Sequence, residues 1–219
     1  MAKIFVCFVG IDGSGKSTLA TNIFEKIRIK NKKTKKTYGR YQPIIGKCLM
    51  AVGRKLFLRN TNMFLNYDKY LDDKRHIFKK TSALARLYIS SIIVEYYFEM
   101  IFKIIIPRKL GYSIISDRYV YDTVINDIAV DMNFSIKNVN ELLQKFWTFI
   151  PKPDITFYLQ VPEVVAKKRK DDIPSLNYLK IRNELYKELT TYEKIVVLDG
   201  TLDLLELERW VYSEIEKVL

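Results

Sequence analysis

The chain alternates between two hydrophobic rhythms. Residues 3–9, Lys3-Ile4-Phe5-Val6-Cys7-Phe8-Val9, are almost continuously apolar, the pattern of a parallel strand buried on both faces. Residues 18–27 then place Leu19, Ile23 and Ile27 four apart, the period of a helix with one apolar face. Further short apolar runs at 112–116, 155–161 and 194–198 read as strands. Thr37-Tyr38-Gly39 reads as the end of another strand, closing at Arg40, with Pro43 stopping it. Helices are predicted over residues 46–58, 81–106, 120–132, 139–149, 177–190 and 202–218, with one more opened by Pro162. Asn60-Thr61-Asn62 and Asn66-Tyr67-Asp68 read as loops. Strands alternating with helices predict an α/β fold of three layers, a five-stranded parallel sheet flanked by helices and joined by right-handed crossovers.

Residues 81–106 form the longest apolar stretch, long enough to span a bilayer. Its polar residues argue otherwise. Ser91, Glu95, Glu99 and Lys103 recur every four residues, so they form one polar line on an otherwise apolar helix. For Glu95 a cleft-facing and a solvent-facing position stand equal. Lys103 is read as solvated, and Pro107 as the helix end.

Composition adds bounds. The chain has 219 residues, 48% of them hydrophobic, enough for a substantial core and too apolar for disorder. No Gly-, Pro- or Ser-rich linker divides it, so residues 1–219 read as one domain. Cys7 and Cys48 show no metal spacing and read as reduced intracellular thiols. A strand begins almost at the first residue, leaving no room for a signal peptide. The net charge of +12 favours anionic partners. Its densest block, residues 26–36, contains no aromatic residue to stack on bases. It reads as a solvated helix end and loop, and nucleic acid is not expected as a partner.

The chemistry centres on Gly10-Ile11-Asp12-Gly13-Ser14-Gly15-Lys16-Ser17-Thr18. This is the pattern G-x-x-x-x-G-K-[ST], set between a strand and a helix. Glycines let successive backbone N–H groups turn inward around phosphate. Lys16 reaches the β- and γ-phosphates, and the Ser17 hydroxyl ligates Mg²⁺. The helix that follows presents its positive end to the same anion. Asp117 falls at the carboxyl end of the third strand, where a P-loop fold places its second Mg²⁺ anchor. The next residue is Arg118 rather than a glutamate that would polarise water, which favours transfer to an organic acceptor over hydrolysis. Arg40 ends the second strand on the ligand side of such a sheet. It is either a phosphate fork or a surface arginine. Lys167-Lys168-Arg169-Lys170 is either a solvated helix face or a charge clamp.

Several segments now coincide in order. They are Phe8 to Thr18, Asp117-Arg118-Tyr119, Pro153-Asp154-Ile155-Thr156-Phe157-Tyr158-Leu159-Gln160-Val161-Pro162-Glu163-Val164, and Ile181-Arg182-Asn183-Glu184-Leu185-Tyr186. Together they resemble the thymidylate kinase family of P-loop nucleoside monophosphate kinases, along essentially the whole chain. The resemblance implies ATP as donor, dTMP as acceptor, Mg²⁺, a homodimer and a cytoplasmic enzyme of nucleotide biosynthesis. It places Mg²⁺ at Ser17 and Asp117, and puts Asp12, Arg40, Glu95, Arg118 and Tyr119 around the acceptor. It makes residues 167–176 a short lid over ATP. Lys16, Arg40, Asp117 and Arg169 become the catalytic set. Some relatives carry an arginine within the loop where this chain has Gly13, so the missing cation is assigned to the lid, to Arg169. Two positions depart from the family. The stretch Glu95-Tyr96-Tyr97 stands where a central-helix arginine is usual, and Asp122 replaces a serine. Two other readings stand beside this one. A deoxynucleoside kinase would want a carboxylate base after the second strand, where the sequence is Arg40-Tyr41-Gln42-Pro43. A nucleotide-dependent nucleic-acid-binding protein would account for the charge.

Overall fold

The structure, a computed structural model, describes residues 3–43 and 63–218. The helix expected over 46–58 and the loop at 60–62 lie outside the described residues. Five strands form one sheet: β1 (Phe5–Val9), β2 (Thr34–Tyr38), β3 (Ser113–Asp117), β4 (Ile155–Gln160) and β5 (Val196–Asp199). Their order is β2-β3-β1-β4-β5, and every neighbouring pair is parallel. The helices are α1 (Lys16–Lys30), α2 (Tyr67–Lys80), α3 (Ser82–Met100), α4 (Val120–Thr123), α5 (Ile136–Trp147), α6 (Glu163–Lys168), α7 (Leu176–Leu189) and α8 (Leu204–Glu216). Helix α3 continues through a π-helical stretch, Ile101–Ile105, into a last turn, Ile106–Lys109. Helix α4 likewise runs through a π-helical stretch, Val124–Ala129, into Val130–Met132.

Alternation along β1 explains its unbroken apolar run. Phe5, Cys7 and Val9 enter one core, which includes Tyr96 and Met100 of α3, Val120, Leu143 of α5 and Leu179 of α7. Ile4, Val6 and Phe8 enter the other, with Leu19, Ile23 and Ile27 of α1 and Val211 and Ile215 of α8. A strand covered on both faces has no polar side. Each large apolar side chain so buried contributes roughly 1.5–3 kcal/mol.

Register sets the site. Asp117 lies beside Phe8 on one flank and Tyr38 on the other. The segments leaving β1, β2 and β3 therefore emerge side by side at the carboxyl edge of the sheet.

Several local expectations change. Strand β2 begins at Thr34, so Lys35 and Lys36 of the basic block are strand residues rather than loop. It is an edge strand, and lysines on an edge disfavour pairing with other chains. Asn66 is not simply a loop residue: its side chain accepts from the Lys69 amide at 3.0 Å and caps α2, a helix the periodicity had not revealed. Pro107 does not end its helix, which continues to Lys109. The polar line on α3 faces inward, over the end of β2. Tyr41 donates its hydroxyl to Glu95 at 2.6 Å, the Gln42 amide donates to Glu99 at 3.3 Å, and Lys103 donates to the Tyr38 carbonyl at 2.9 Å. Lys103 is thus not a free solvent residue. The outward face carries Val94, Phe98 and Phe102 instead, 56%, 58% and 67% exposed.

Candidate active site

The loop from Gly10 to Thr18 owes its shape to three glycines with positive φ: Gly10 at 145°, Gly13 at 81° and Gly15 at 94°. Two of them are also packed tightly. A Cβ on Gly13 would stand 2.1 Å from the Ala166 carbonyl oxygen of α6, and one on Gly10 2.8 Å from that of Leu159. A Cβ on Gly15 would meet nothing within 4 Å, so the loop opens there, at the first turn of α1. The Ser14 amide donates back to the Ile11 carbonyl at 3.2 Å and tightens the turn. Ile11 itself is buried. Ser17 and Thr18 are exposed in the first helical turn.

Lys16 is 3% exposed and donates to the Ile11 carbonyl at 2.8 Å. Burial, with the nearby Arg118 charge, lowers its pKa to about 7, against the opposing pull of Asp122, Asp12 and Asp117. A phosphate placed in the loop would reverse that shift. Asp117 is 6% exposed, and its Oδ1 is buried with no hydrogen-bond partner among the described residues. An orphaned buried carboxylate oxygen is costly unless a cation or water completes it. Such an oxygen fits the hard-oxygen chemistry of Mg²⁺.

Arg118 follows in the left-handed region, at φ 71°. A non-glycine there stores strain. Its guanidinium holds Asp122 at 2.7 Å on one nitrogen and Asp12 of the loop on another. Asp12 also accepts from the Tyr178 hydroxyl at 3.1 Å. Although burial opposes it, the charges of Arg118, Lys16, Lys170 and Arg40 keep the Asp12 carboxyl well below its ordinary range. Burial pushes Asp122 up, against Arg118 and Lys16. Arg40, just beyond β2, is gripped bidentately by Asp127, at 3.0 Å through Nε and 2.6 Å through Nη2.

Not every expected residue reaches this edge. Tyr119 is fully buried. Its ring packs against Phe5 at 5.0 Å and Trp147 at 6.2 Å, and its hydroxyl donates to the Pro151 carbonyl. It is a core residue rather than a wall of the acceptor cleft, because the strained Arg118 turns the chain and sends the two side chains apart. Glu95 does lie by this edge, where it accepts from the hydroxyl of Tyr41, the residue after Arg40. Arg169 donates to the Gly200 carbonyl at 3.0 Å, at the end of β5. Its neighbour Lys170 faces the loop, 3.9 Å from Asp12 and 3.2 Å from Asp172.

Other residues of the site were not singled out from the sequence. Asp127 pairs with Arg40. Tyr178 and Arg182 of α7 reach in from the far side. The Arg182 guanidinium stacks 3.6 Å from the Tyr178 ring centroid and donates to the Tyr67 hydroxyl at 2.8 Å. Arg182 stands in the segment that carried the resemblance, but nothing in its spacing announced these contacts.

The sheet, the glycine loop with its buried lysine and the orphaned Asp117 define an ATP-dependent phosphotransferase of the P-loop class. Comparison with known proteins narrows this. The chain is similar to the thymidylate kinase of Thermosipho africanus, 26% identical over 99% of both chains. It is 28% identical to a probable thymidylate kinase of Methanocaldococcus jannaschii, over 91% of this chain and 88% of that one. To a probable thymidylate kinase of Sulfolobus acidocaldarius it is 27% identical, over 95% and 96%. No protein-family model matches it. The similarity to thymidylate kinases runs along nearly the whole chain and supports an assignment to that family.

Proposed function

We propose that this protein passes the γ-phosphoryl group of ATP to dTMP, giving dTDP and ADP. The observation that carries the reading is the meeting of three elements at one edge of the sheet: the loop around Lys16, Asp117-Arg118 after β3, and Arg40 after β2. The acceptor is already an anionic phosphate, so its oxygen attacks without a strong general base. Catalysis then reduces to positioning and charge neutralisation. The loop amides and Lys16 hold the donor phosphates. Ser17 and Asp117 would hold Mg²⁺, which when bound neutralises phosphate charge. Arg40 and Arg118 face the acceptor phosphate, and Asp12 sits between donor loop and acceptor side.

The deoxynucleoside kinase reading has less support. Asp127, Asp122 and Asp12, the carboxylates beside the two arginines, are occupied as their partners. The nucleic-acid reading is weakened by pairing within the basic block, where Lys26 meets Glu208, Arg28 meets Glu25 and Lys30 meets Glu216.

In this reading residues 167–176 are the lid of a single kinase domain, and its loop-facing cation is Lys170. The protein works in the cytoplasm; among the described residues no helix is long and apolar enough to cross a membrane. It forms a homodimer through the outward face of α3, which exposes Val94, Phe98 and Phe102 and where the Tyr97 ring packs against Phe98 and the exposed Phe149. The test of function is a panel of nucleosides and nucleoside monophosphates, assayed for ADP release with Mg-ATP. Phosphorylation of dTMP above other monophosphates is expected. Turnover of thymidine but not dTMP would overturn the reading.

A further inference from the structure

Helix α4 and its continuation carry three aspartates, and each holds a cation from a different element. Asp122 holds Arg118 from the end of β3, Asp127 holds Arg40 from beyond β2, and Asp131 holds Lys74 of α2 at 2.6 Å. The spacing is informative. In an α-helix five residues turn the chain through about 500°, which would leave residue 127 roughly 140° away from residue 122. The π-helical stretch Val124–Ala129 intervenes, and its i→i+5 repeat brings residues five apart back towards one side. Such stretches are uncommon and cluster at functional sites.

From this geometry we infer that Asp127 is a positioning residue for the phosphate acceptor, acting through Arg40. The pairing uses Nε and Nη2 of the guanidinium. That fixes the plane of the group and directs the opposite edge, which includes Nη1, as the fork available to a phosphate. Both side chains remain partly open, 22% and 19% exposed, as expected of a pair lining a cleft rather than closing a core. Asp127 is itself tied down, since its backbone carbonyl accepts from the Tyr88 hydroxyl at 3.0 Å. A long flexible arginine would otherwise lose side-chain entropy on gripping the substrate. Holding it beforehand moves that cost into folding.

The inference rests on the monophosphate-kinase reading, and its test separates the two. Steady-state kinetics and calorimetric dTMP binding are compared for the wild type, Asp127→Asn, Asp127→Glu and Arg40→Ala, and for the double variant Arg40→Ala with Asp127→Asn. Thermal unfolding is followed in each. Asp127→Asn is expected to raise the acceptor KM and the dTMP Kd at least about fivefold, with kcat and the ATP KM within about twofold. Asp127→Glu, which keeps the charge, should fall between. In the Arg40→Ala background the second change should alter the acceptor KM less than about twofold, because the two residues act as one unit. An unchanged acceptor KM in Asp127→Asn overturns the inference and leaves the kinase reading standing. So does a lowered KM, which would mean that the carboxylate only opposes the acceptor's charge. A fivefold effect that persists without Arg40 also overturns it. If the wild type phosphorylates no nucleoside monophosphate, the functional reading falls and takes this inference with it.

Discussion

Lys170 stands 3.9 Å from the carboxylate of Asp12, whereas the adjacent Arg169 turns away to the Gly200 carbonyl. Two neighbouring cations thus face different things. Arg169 is the last cap of α6, and the chain direction there points it at the end of β5. Lys170 lies one step further and reaches Asp12 of the loop proposed to hold the donor phosphates. Lys170 would exchange the Asp12 carboxylate for the phosphate charge of bound nucleotide, which would leave its ammonium beside the transferring group. Lys170→Ala should therefore lower kcat at least about tenfold with little change in either KM, while Arg169→Ala should raise the ATP KM more than it lowers kcat. Kinetics of the two variants side by side decide the matter. The reverse pattern would restore Arg169 as the lid cation.

Lys16→Ala should reduce phosphoryl transfer at least about a hundredfold. Its ammonium is the cation built into the loop, and charge stabilisation in such a dry site is worth several kcal/mol. The circular dichroism spectrum should be unchanged, since removing a buried cation relieves desolvation rather than emptying a core. Activity within tenfold of the parent would disqualify the loop as the donor site.

Burial lowers the Lys16 pKa to about 7 in the free protein, so above that pH the amine is increasingly neutral. Phosphates favour its charged form and raise the pKa. ATP binding should therefore be accompanied by proton uptake, approaching one proton between about pH 8 and 9 and fading below about pH 6. Calorimetry in buffers of different ionisation enthalpy measures it. Lys16→Ala should abolish the uptake.

Gly13→Ala should destabilise the protein by about 2 kcal/mol or more. The residue sits at φ 81°, and its new Cβ would meet the Ala166 carbonyl at 2.1 Å, against backbone that cannot swing aside. For a chain of this size the melting temperature should fall by at least about 4 °C. Donor affinity should fall too, as α6 is pushed from the loop. An arginine at this position would meet the same obstacle.

The homodimer proposed above is checked by sedimentation. Phe98→Lys with Phe102→Lys should convert a dimer into a monomer, because the face of α3 would no longer exclude water. A monomeric wild type would refute the interface.

Much of this protein was legible in its sequence. The alternation of strands and helices, the loop from Gly10 to Thr18 and the position of Asp117 are local patterns. Each depends on residues close along the chain, whose period or turn chemistry fixes their conformation. What the sequence could not supply was direction and partnership. Glu95, Glu99 and Lys103 were legible as a line on one helix, but only packing against β2 shows that the line faces inward and the apolar face outward. Tyr119 follows Arg118 directly, yet a single left-handed residue sends one to the core and the other to the loop. Arg40 and Asp127 are 87 residues apart, and the π-helical stretch that swings Asp127 into place has no sequence period of its own. A contact of that span exists only once the β2–β3–β1 register has brought the strand ends together, and register is a property of the whole sheet rather than of any segment in it.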